Sequence, residues 1–502
     1  MSRSARWLLV LIVSTATLRL GVAAALGLGI DESYMVAAGR VLRWGYFDHP
    51  PLSWWLARGA ALLAGSEAAI VVRLPFIALF ALSTWLVFRL GERVAGARAG
   101  LWAAAALNAS PVFGLTTGSW VLPDGPLIAA LLGGGLLLMR ALDHPAEQGG
   151  AWREWLGAGG CLGLALLSKY TAVLAPLGLF GFLLTSPAHR PWLRRPQPWA
   201  GMALALALFA PVPAWNATHG WASFAFQGGR AAANRLHPFG PLAVLAGSAL
   251  FLLPWIWAGL AVALVRGARA RGDDAWRGRL LIWLGLPPLV LFPVVALWSR
   301  HVLFHWMAPG YLFLFPLLGA ELARLEARHP RPLRAAALAT LGLIVVGLGA
   351  VGTEARWNWI ACFDHDLDPA LQARDWHQLP AALAKRALLG GPHTVIAGTS
   401  WWFTGKLDYA LAGREDVLCL DRDSREYHYL FTAHAHDGDD VVVIVPPRDA
   451  KSVEARYGRL FARMDALPPL QLPLEHRAPT SFALFLGHDF HARLEAEGSA
   501  GE

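Results

Sequence analysis

Charged side chains are scarce in this chain. Only 16% of its 502 residues are Asp, Glu, Lys or Arg, whereas an ordinary soluble domain carries about 25%, and 56% are hydrophobic. A protein whose whole surface faces water normally has more charged side chains than this. The composition therefore predicts an integral membrane protein.

The charge that is present does not indicate a nucleic-acid partner. The formal net charge is +8, but most arginines lie in short clusters between apolar stretches. The sequence has no basic face with interleaved aromatics, which is the usual sign of nucleic-acid binding. We therefore expect membrane lipids, and not nucleic acid, around this chain.

Cysteine is also rare, with three residues in the chain. Cys161 lies in an apolar run, whereas Cys362 and Cys419 fall in the C-terminal part. A disulfide between Cys362 and Cys419 and two separate buried thiols are both compatible with the sequence. The two polar loops around His219 and around His301 and His305 lack the ligand set and spacing of a structural zinc site, so we predict no metal site.

Long apolar runs fill residues 1-353. A spanning helix needs roughly 20 mostly apolar residues, because about 30 Å of hydrocarbon is crossed at about 1.5 Å per residue. About eleven segments qualify, two of them only as a short pair: 7-30, 67-90, 100-117, 125-142, 155-168, 170-185, 198-215, 240-264, 280-298, 306-322 and 335-352. The first is predicted to be an uncleaved signal anchor.

Arginine clusters alternate along the chain with loops that are poor in cations. Because positive charge is retained on the cytoplasmic side, the arginine-rich loops are predicted to be cytoplasmic. They contain Arg3, Arg6, Arg89, Arg93, Arg98, Arg153, Arg190, Arg194, Arg195, Arg266, Arg269, Arg271, Arg277, Arg279, Arg324, Arg328, Arg331 and Arg334. The other loops would face the periplasm, and so would residues 354-502 after the last span. This predicts a multi-pass protein of the bacterial inner membrane.

The sequence changes character in its last part. The runs at 393-397, 416-420 and 440-445 are typical of short buried strands, and residues 380-389 have the periodicity of a helix. We therefore predict a C-terminal α/β domain over 354-502, with a disordered tail from about Glu495. The spans show no inverted repeat of the kind found in secondary transporters.

Acidic residues stand at two predicted outer membrane boundaries. Asp31 and Glu32 follow the first span directly, and Asp124 precedes the fourth within Leu122-Pro-Asp-Gly-Pro126. Asp31 and Asp124 could each simply cap the helix that follows. Carboxylates at a membrane interface are costly unless they are solvated or used, so a general base at headgroup depth is the alternative.

Several basic and aromatic residues share the predicted outer face. Lys169 interrupts two apolar runs that are each too short to span, so it either snorkels to the interface or binds an anion. The other candidates for substrate contact are Tyr34, Asp48, His49, Arg58, Tyr170, Arg230, Arg300, His301 and His305.

Taken together, these motifs resemble those of a known enzyme superfamily. The acid pair after span one, the stretch Tyr46-Phe-Asp-His-Pro-Pro-Leu52, the Asp124 loop, the Lys169 turn and the 215-227 and 305-312 loops lie on one predicted side. This pattern, over approximately residues 1-325, resembles the GT-C superfamily. It resembles in particular the bacterial branch related to protein O-mannosyltransferases and to the transferases that add aminoarabinose or galacturonic acid to lipopolysaccharide.

The resemblance implies a polytopic α-helical GT-C fold and an inverting glycosyltransferase. The donor would be a polyprenyl-phosphate sugar and the acceptor a lipid, glycan or protein. Asp31 would be the catalytic base, with Glu32 and Asp124 as further catalytic candidates, and Lys169 would hold the donor phosphate together with other cations. No cofactor is required, although the sequence leaves open whether a divalent cation assists.

Two other classes of protein remain as alternatives. A lipid-linked sugar flippase or other transporter would place its ionisable residues near the bilayer midplane, whereas here they cluster at one face. A membrane scaffold whose outer α/β domain binds a partner would explain that domain but not the acids.

The alternation of basic loops predicts a topology that cysteine labelling can test. In a chain without its native cysteines, single cysteines near Asp124, Lys169 or His305 should react with an impermeant maleimide added from the periplasm. Single cysteines near Arg194 or Arg271 should react only after the membrane is opened. The reverse pattern would show that the predicted orientation is inverted.

Overall fold

The computed structural model describes residues 2–231, 235–357, 374–391, 394–430, 433–474 and 477–492. The chain divides into two compact units. The first, which we call the helical unit, comprises Met1–Gly21, Arg43–Leu56 and Arg73–Val345. The second, the mixed unit, comprises Val22–Leu42, Ala57–Val72 and Val346–Glu502. The mixed unit thus takes in two N-terminal segments that a sequence boundary at residue 353 would leave out.

Helices account for most of the first 357 residues. In chain order they are α1 (Arg3–Ala25), α2 (Ile30–Ala38), α3 (Leu52–Ala64), α4 (Ala69–Ala95), α5 (Ala97–Ala109), a π-helix (Val112–Thr117), α6 (Asp124–Leu142), α7 (Trp152–Leu166), α8 (Leu174–Thr185), α9 (Pro196–Phe209), α10 (Pro211–Thr218), α11 (Ala222–Ala231), α12 (Gly240–Leu252), α13 (Pro254–Arg269), α14 (Ala275–Val295), α15 (Ala308–Leu312), α16 (Phe315–Arg328) and α17 (Pro330–Trp357). Short 3₁₀ turns at Tyr170–Val173 and Phe304–Met307 precede α8 and α15.

Within the described ranges, five helices are long and apolar enough to cross a membrane: α1, α4, α6, α14 and α17. Up to eight spans result if three bent helix pairs each count as one. The pairs are α9 with α10, α12 with α13, and Phe304–Leu312 with α16, bent by 42°, 110° and 67°. Every predicted segment overlaps a helix, but the predicted number of about eleven spans stays a prediction.

The structure corrects two predicted span boundaries. The first predicted span ran to residue 30, whereas α1 ends at Ala25 and a separate helix, α2, begins at Ile30. The segment 240-264 was predicted to be one span, but it is broken between α12 and α13. Leu253 there has a φ of 72°, and Pro254 starts a new helix because it lacks the N–H that would continue the old one.

Helices of the helical unit approach one another closely at glycines. A Cβ added at Gly159 of α7 would lie 2.1 Å from the carbonyl oxygen of Gly201 on α9. Likewise, a Cβ at Gly285 of α14 would lie 2.5 Å from the carbonyl oxygen of Gly310 on α15. Only glycine permits such backbone contacts, and small residues at crossings are typical of helices packed in membranes.

A buried arginine supports the π-helix. The side chain of Arg19, on α1, donates from Nε to the carbonyl oxygen of Gly114 at 3.0 Å and from Nη2 to Asn108 at 3.0 Å. Its guanidinium also lies 4.4 Å from the centre of the Phe80 ring. An arginine inside a membrane span requires such partners. These contacts connect α1 to the π-helix, which precedes Asp124 in the chain.

The mixed unit contains a five-stranded sheet in the order β2-β1-β3-β5-β4. The strands are β1 (Thr394–Gly398), β2 (Val417–Cys419), β3 (Asp440–Val445), β4 (Phe461–Leu474) and β5 (Arg477–Phe490). Both β2 and β3 pair in parallel with β1, whereas β5 is antiparallel to β3 and β4. The helices of this region are α18 (Leu379–Ala384), α19 (Trp401–Leu411), α20 (Tyr427–Leu430) and α21 (Val453–Tyr457).

Both faces of this sheet are covered by apolar side chains. Ile396, Val442 and Ile444 point to one side, where they pack with Phe403 and Leu407 of α19. Their neighbours Val395, Val441 and Val443 point to the other side and pack with Val453 and Tyr457 of α21. This alternation follows from the two-residue period of a strand, and burial on both faces explains the continuous apolar runs in the sequence.

The structure does not decide between a Cys362–Cys419 disulfide and two separate thiols. The thiols of Cys161 and Cys419 are free among the described residues, and Cys362 lies outside them, as do His393 and the tail from Glu495. Burial raises the pKa of the Cys419 thiol to about 11, which keeps it protonated at neutral pH.

The contact between α7 and α9 predicts a position-specific sensitivity. Gly159→Ala should lower the thermal unfolding midpoint of the detergent-solubilised protein, because the new methyl group meets the Gly201 backbone and overpacking costs about 1–3 kcal/mol. Gly160→Ala is the matched control, since a Cβ at Gly160 has no atom within 4 Å. Equal midpoints for the two variants would show that this crossing tolerates a side chain.

Candidate functional site

The predicted site residues are divided between the two units. Asp31, Glu32, Tyr34 and Arg58 belong to the mixed unit. The others belong to the helical unit: Asp48, His49, Asp124, Lys169, Tyr170, Arg230, Arg300, His301 and His305.

An ion pair joins Asp124 and Lys169 in the helical unit. The Lys169 ammonium lies 3.0 and 2.9 Å from the two carboxylate oxygens of Asp124. The two side chains are only 12% and 16% exposed. Asp124 is the first residue of α6, behind Pro123 at the N-cap, so it does not act as the cap that the sequence also allowed.

The chain on either side of Lys169 explains how its ammonium reaches this partner. Helix α7 ends at Leu166 and the 3₁₀ turn begins at Tyr170, as the two short apolar runs predicted. Lys169 itself is extended, with φ −155° and ψ 136°. Two hydrogen bonds go to Asp124, and among the described residues the third N–H of the ammonium has no protein partner.

More basic groups surround this pair. His305 and His49 both interact electrostatically with Asp124, and Arg230 interacts with His305. The Arg230 guanidinium also lies 4.7 Å from the centre of the Trp306 ring and 5.7 Å from that of Phe226. We call Asp124, Lys169, His49, His305 and Arg230 the basic cluster.

The polar segment 215-227 contacts two other predicted site residues, Tyr170 and Asp48. Tyr170 forms a 2.6 Å hydrogen bond with Ser223 and interacts electrostatically with Asp48, whose carbonyl oxygen accepts a 2.6 Å bond from the Gln227 amide. The Asn216 side chain in turn accepts the backbone N–H of Ser223. Asn216, Ser223 and Gln227 were not among the predicted site residues. The run of polar residues in the 215-227 loop could have indicated these three residues. The sequence does not show which residues they would bind.

Two predicted cations do not join the cluster. Arg300 donates to His237 at 3.2 Å on the exposed surface, and His301 is exposed as well. Within the described part of the chain, neither residue contacts a member of the cluster. Both residues lie in the turn that follows α14. Although they are close to His305 in sequence, their side chains do not lie beside it.

The acid pair of the mixed unit separates into two environments. Asp31, in the first turn of α2, is exposed. Glu32 is 2% exposed, and its Oε2 accepts the backbone N–H of Gly29 at 2.9 Å, so it caps α2. Asp31 is therefore the exposed member of the acid pair and Glu32 the buried one.

Tyr34 and Arg58 are engaged in protein contacts within the mixed unit. The ring of Tyr34 is buried 5.2 Å from that of Trp401, and its hydroxyl accepts the backbone N–H of Glu426 at 3.0 Å. The Arg58 guanidinium lies 3.3 Å from Glu67. These contacts make Tyr34 a packing residue and give Arg58 a carboxylate partner. Among the described residues, no three His, Cys, Asp or Glu side chains are arranged to hold a metal ion.

A family model matches the part of the chain that holds three members of the basic cluster, His49, Asp124 and Lys169. The family model of dolichyl-phosphate-mannose-protein mannosyltransferases matches residues 48–215. The lipid A galacturonosyltransferase RgtD of Rhizobium johnstonii is 24% identical over 295 residues, which are 56% of this chain and 58% of that protein. The chain therefore aligns with a little over half of this relative.

The same overall fold is found in a solved transferase. The crystal structure of ArnT from Cupriavidus metallidurans matches 97% of this chain and 98% of its own, with a TM-score of 0.65 at 16% identity. The chain therefore shares the overall fold of ArnT. The fold is also similar to that of the archaeal oligosaccharyltransferase AglB from Archaeoglobus fulgidus, with a TM-score of 0.52 at 13% identity over 91% of this chain and 71% of that chain.

Proposed function

We propose that the chain is an inverting glycosyltransferase that moves a sugar from a polyprenyl-phosphate donor to a lipid, glycan or protein acceptor. The reaction would take place at the periplasmic face of the bacterial inner membrane. The activity and the bound ligand of two similar proteins support this proposal. One is a lipid A galacturonosyltransferase, and ArnT has also been solved with undecaprenyl phosphate bound, at a TM-score of 0.67 to this chain.

The Lys169–Asp124 pair carries the proposal. Asp124 orients the Lys169 ammonium with two hydrogen bonds, which leaves one N–H for a phosphate oxygen. A lysine suits this role because its compact charge can serve several oxygens. Arg230, His49 and His305 supply further donors near the pair.

A donor of this kind requires one base. An acceptor hydroxyl oxygen attacks the anomeric carbon, the bond from that carbon to the phosphate oxygen breaks, and its electron pair leaves with the polyprenyl phosphate. Phosphate is already a good leaving group, so its departure needs charge stabilisation more than protonation. The hydroxyl proton goes to a carboxylate, which we assign to Asp31 because it is the exposed member of the acid pair.

Removal of the Asp31 charge should abolish most of the transfer. In a strain that lacks this gene, mass spectrometry of envelope lipids and glycans should show a missing sugar, which the wild-type chain restores. Asp31→Asn should reduce the restoring rate about 100-fold or more, because general-base catalysis contributes roughly 10²–10⁴-fold.

Glu32→Gln is the control for the Asp31 variant. Gln keeps the hydrogen bond to Gly29, so this variant should retain most of the activity. An Asp31→Asn protein that restores the sugar normally would place the base elsewhere. An envelope that loses no sugar on deletion would contradict the proposed transfer to an envelope lipid or glycan.

The proposed role of Lys169 can be tested without turnover. Lys169→Ala should weaken the binding of undecaprenyl phosphate to the purified protein, and Lys169→Arg should recover part of it, because Arg keeps the charge with a different geometry. Lys169→Gln, which keeps most of the length, should resemble the Ala variant. If all three variants bind undecaprenyl phosphate as tightly as the wild type, the phosphate is held by other residues.

A further inference from the structure

One face of α19 contacts the N-terminal segments of the mixed unit. The residues involved are Trp401, Gly405, Asp408 and Tyr409, with Lys406 beside them. The spacing of four, seven and eight residues from Trp401 puts these side chains on one side of a helix. The opposite side, with Phe403 and Leu407, packs on the sheet.

At the centre of this face, α19 and α2 touch through their backbones. A Cβ added at Gly405 would lie 2.7 Å from the Cα and 3.0 Å from the backbone nitrogen of Tyr34. Any side chain at position 405 would therefore push the two helices apart. The Tyr34 ring extends the contact to Trp401 and, at 6.0 Å, to Tyr427.

The chain just before α2 is held by a buried lysine of α19. Lys406 is 2% exposed, and its ammonium donates to the carbonyl oxygen of Leu28 at 2.8 Å. Leu28 precedes Asp31 by three residues. The ammonium also donates to the carbonyl oxygen of Arg374, which fixes its position.

The chain just after α2 is held by a carboxylate of the same helix. Arg40 donates to Asp408 at 2.6 Å and to Glu67 at 2.8 Å. The Tyr427 hydroxyl donates to the other oxygen of Asp408 at 3.1 Å, and burial raises the pKa of Tyr427 well above its usual value, so it stays a donor. With Leu28 held at one end and Arg40 at the other, α2 is fixed along its whole length.

We infer that α19 of the C-terminal domain is a positioning element for catalysis: Gly405, Lys406 and Asp408 hold α2, and with it the carboxylate of Asp31, in place. This inference rests on the function proposed above. Asp31 itself is exposed, and the chain on both sides of it is constrained. General-base catalysis depends on such placement, because the base must come within hydrogen-bond reach of the proton that it removes.

The test is Gly405→Ala in the full-length protein. A lipid extract of the deletion strain serves as the source of donor and acceptor, and mass spectrometry follows the restored sugar. We expect the rate to fall about 10- to 100-fold, because a misplacement of about 1 Å can cost about 10²-fold in rate. Binding of undecaprenyl phosphate should be unchanged.

Gly458→Ala is the matched control in the same domain. A Cβ there would lie 3.5 Å from Glu454, an ordinary contact, so this variant should transfer sugar normally. Asp408→Asn is a second variant that keeps the shape of the side chain and removes its charge. It should lower the rate several-fold and so preserves the test if Gly405→Ala does not fold.

A double variant distinguishes two causes of a lower rate in Gly405→Ala: a displaced Asp31 carboxylate and a smaller amount of folded protein. If Gly405 acts through Asp31, the double variant Asp31→Asn, Gly405→Ala should be no slower than Asp31→Asn alone. Rate losses that multiply would overturn the inference, and so would normal transfer by both Gly405→Ala and Asp408→Asn. Normal transfer by Asp31→Asn would instead refute the proposed base, a result that is distinct from either of these.

Discussion

In the helical unit, a charged side chain beside apolar helices needs a partner of opposite charge or a hydrogen-bond acceptor. Lys169 stands between two apolar helices, and its ammonium would be strongly destabilising there without Asp124. The pairing joins the break before α8 to the start of α6, where the helix dipole also favours a carboxylate. It therefore fixes two elements that are distant in sequence, and among the described residues one ammonium N–H has no protein partner.

The same constraint explains other contacts of buried or partly buried cations. Arg19 is satisfied by a carbonyl oxygen, an amide and a ring face, and Arg40 by two carboxylates. Both residues use the planar fork of the guanidinium, which binds two partners at once, and lysine could not replace them equally. These cations connect segments that are far apart in the chain, so charge acts here as a long-range structural constraint.

Sequence similarity and structural similarity cover different shares of this chain. The family model matches residues 48–215, whereas the structural match to ArnT covers 97% of the chain at 16% identity. Apolar helix surfaces accept exchanges among hydrophobic residues of similar volume, so much of a membrane fold can persist while its sequence changes. A cluster such as Lys169 with Asp124 tolerates fewer exchanges, because each partner would otherwise leave a charge unpaired.

The sequence alone determined the membrane class, the positions of the apolar helices, the break at Lys169 and the strands near 394, 417 and 440. These features follow from local hydrophobic periodicity, which a sequence displays directly. The tertiary structure decided which polar residues meet. It paired Lys169 with Asp124, left Arg300 and His301 outside the cluster, and separated exposed Asp31 from buried Glu32. It also joined residues 22–42 to the C-terminal domain through Gly405 and Asp408. The contact of Asp408 with Arg40 links positions 368 residues apart. No local pattern in the sequence records such contacts, because they depend on how the whole chain folds back on itself.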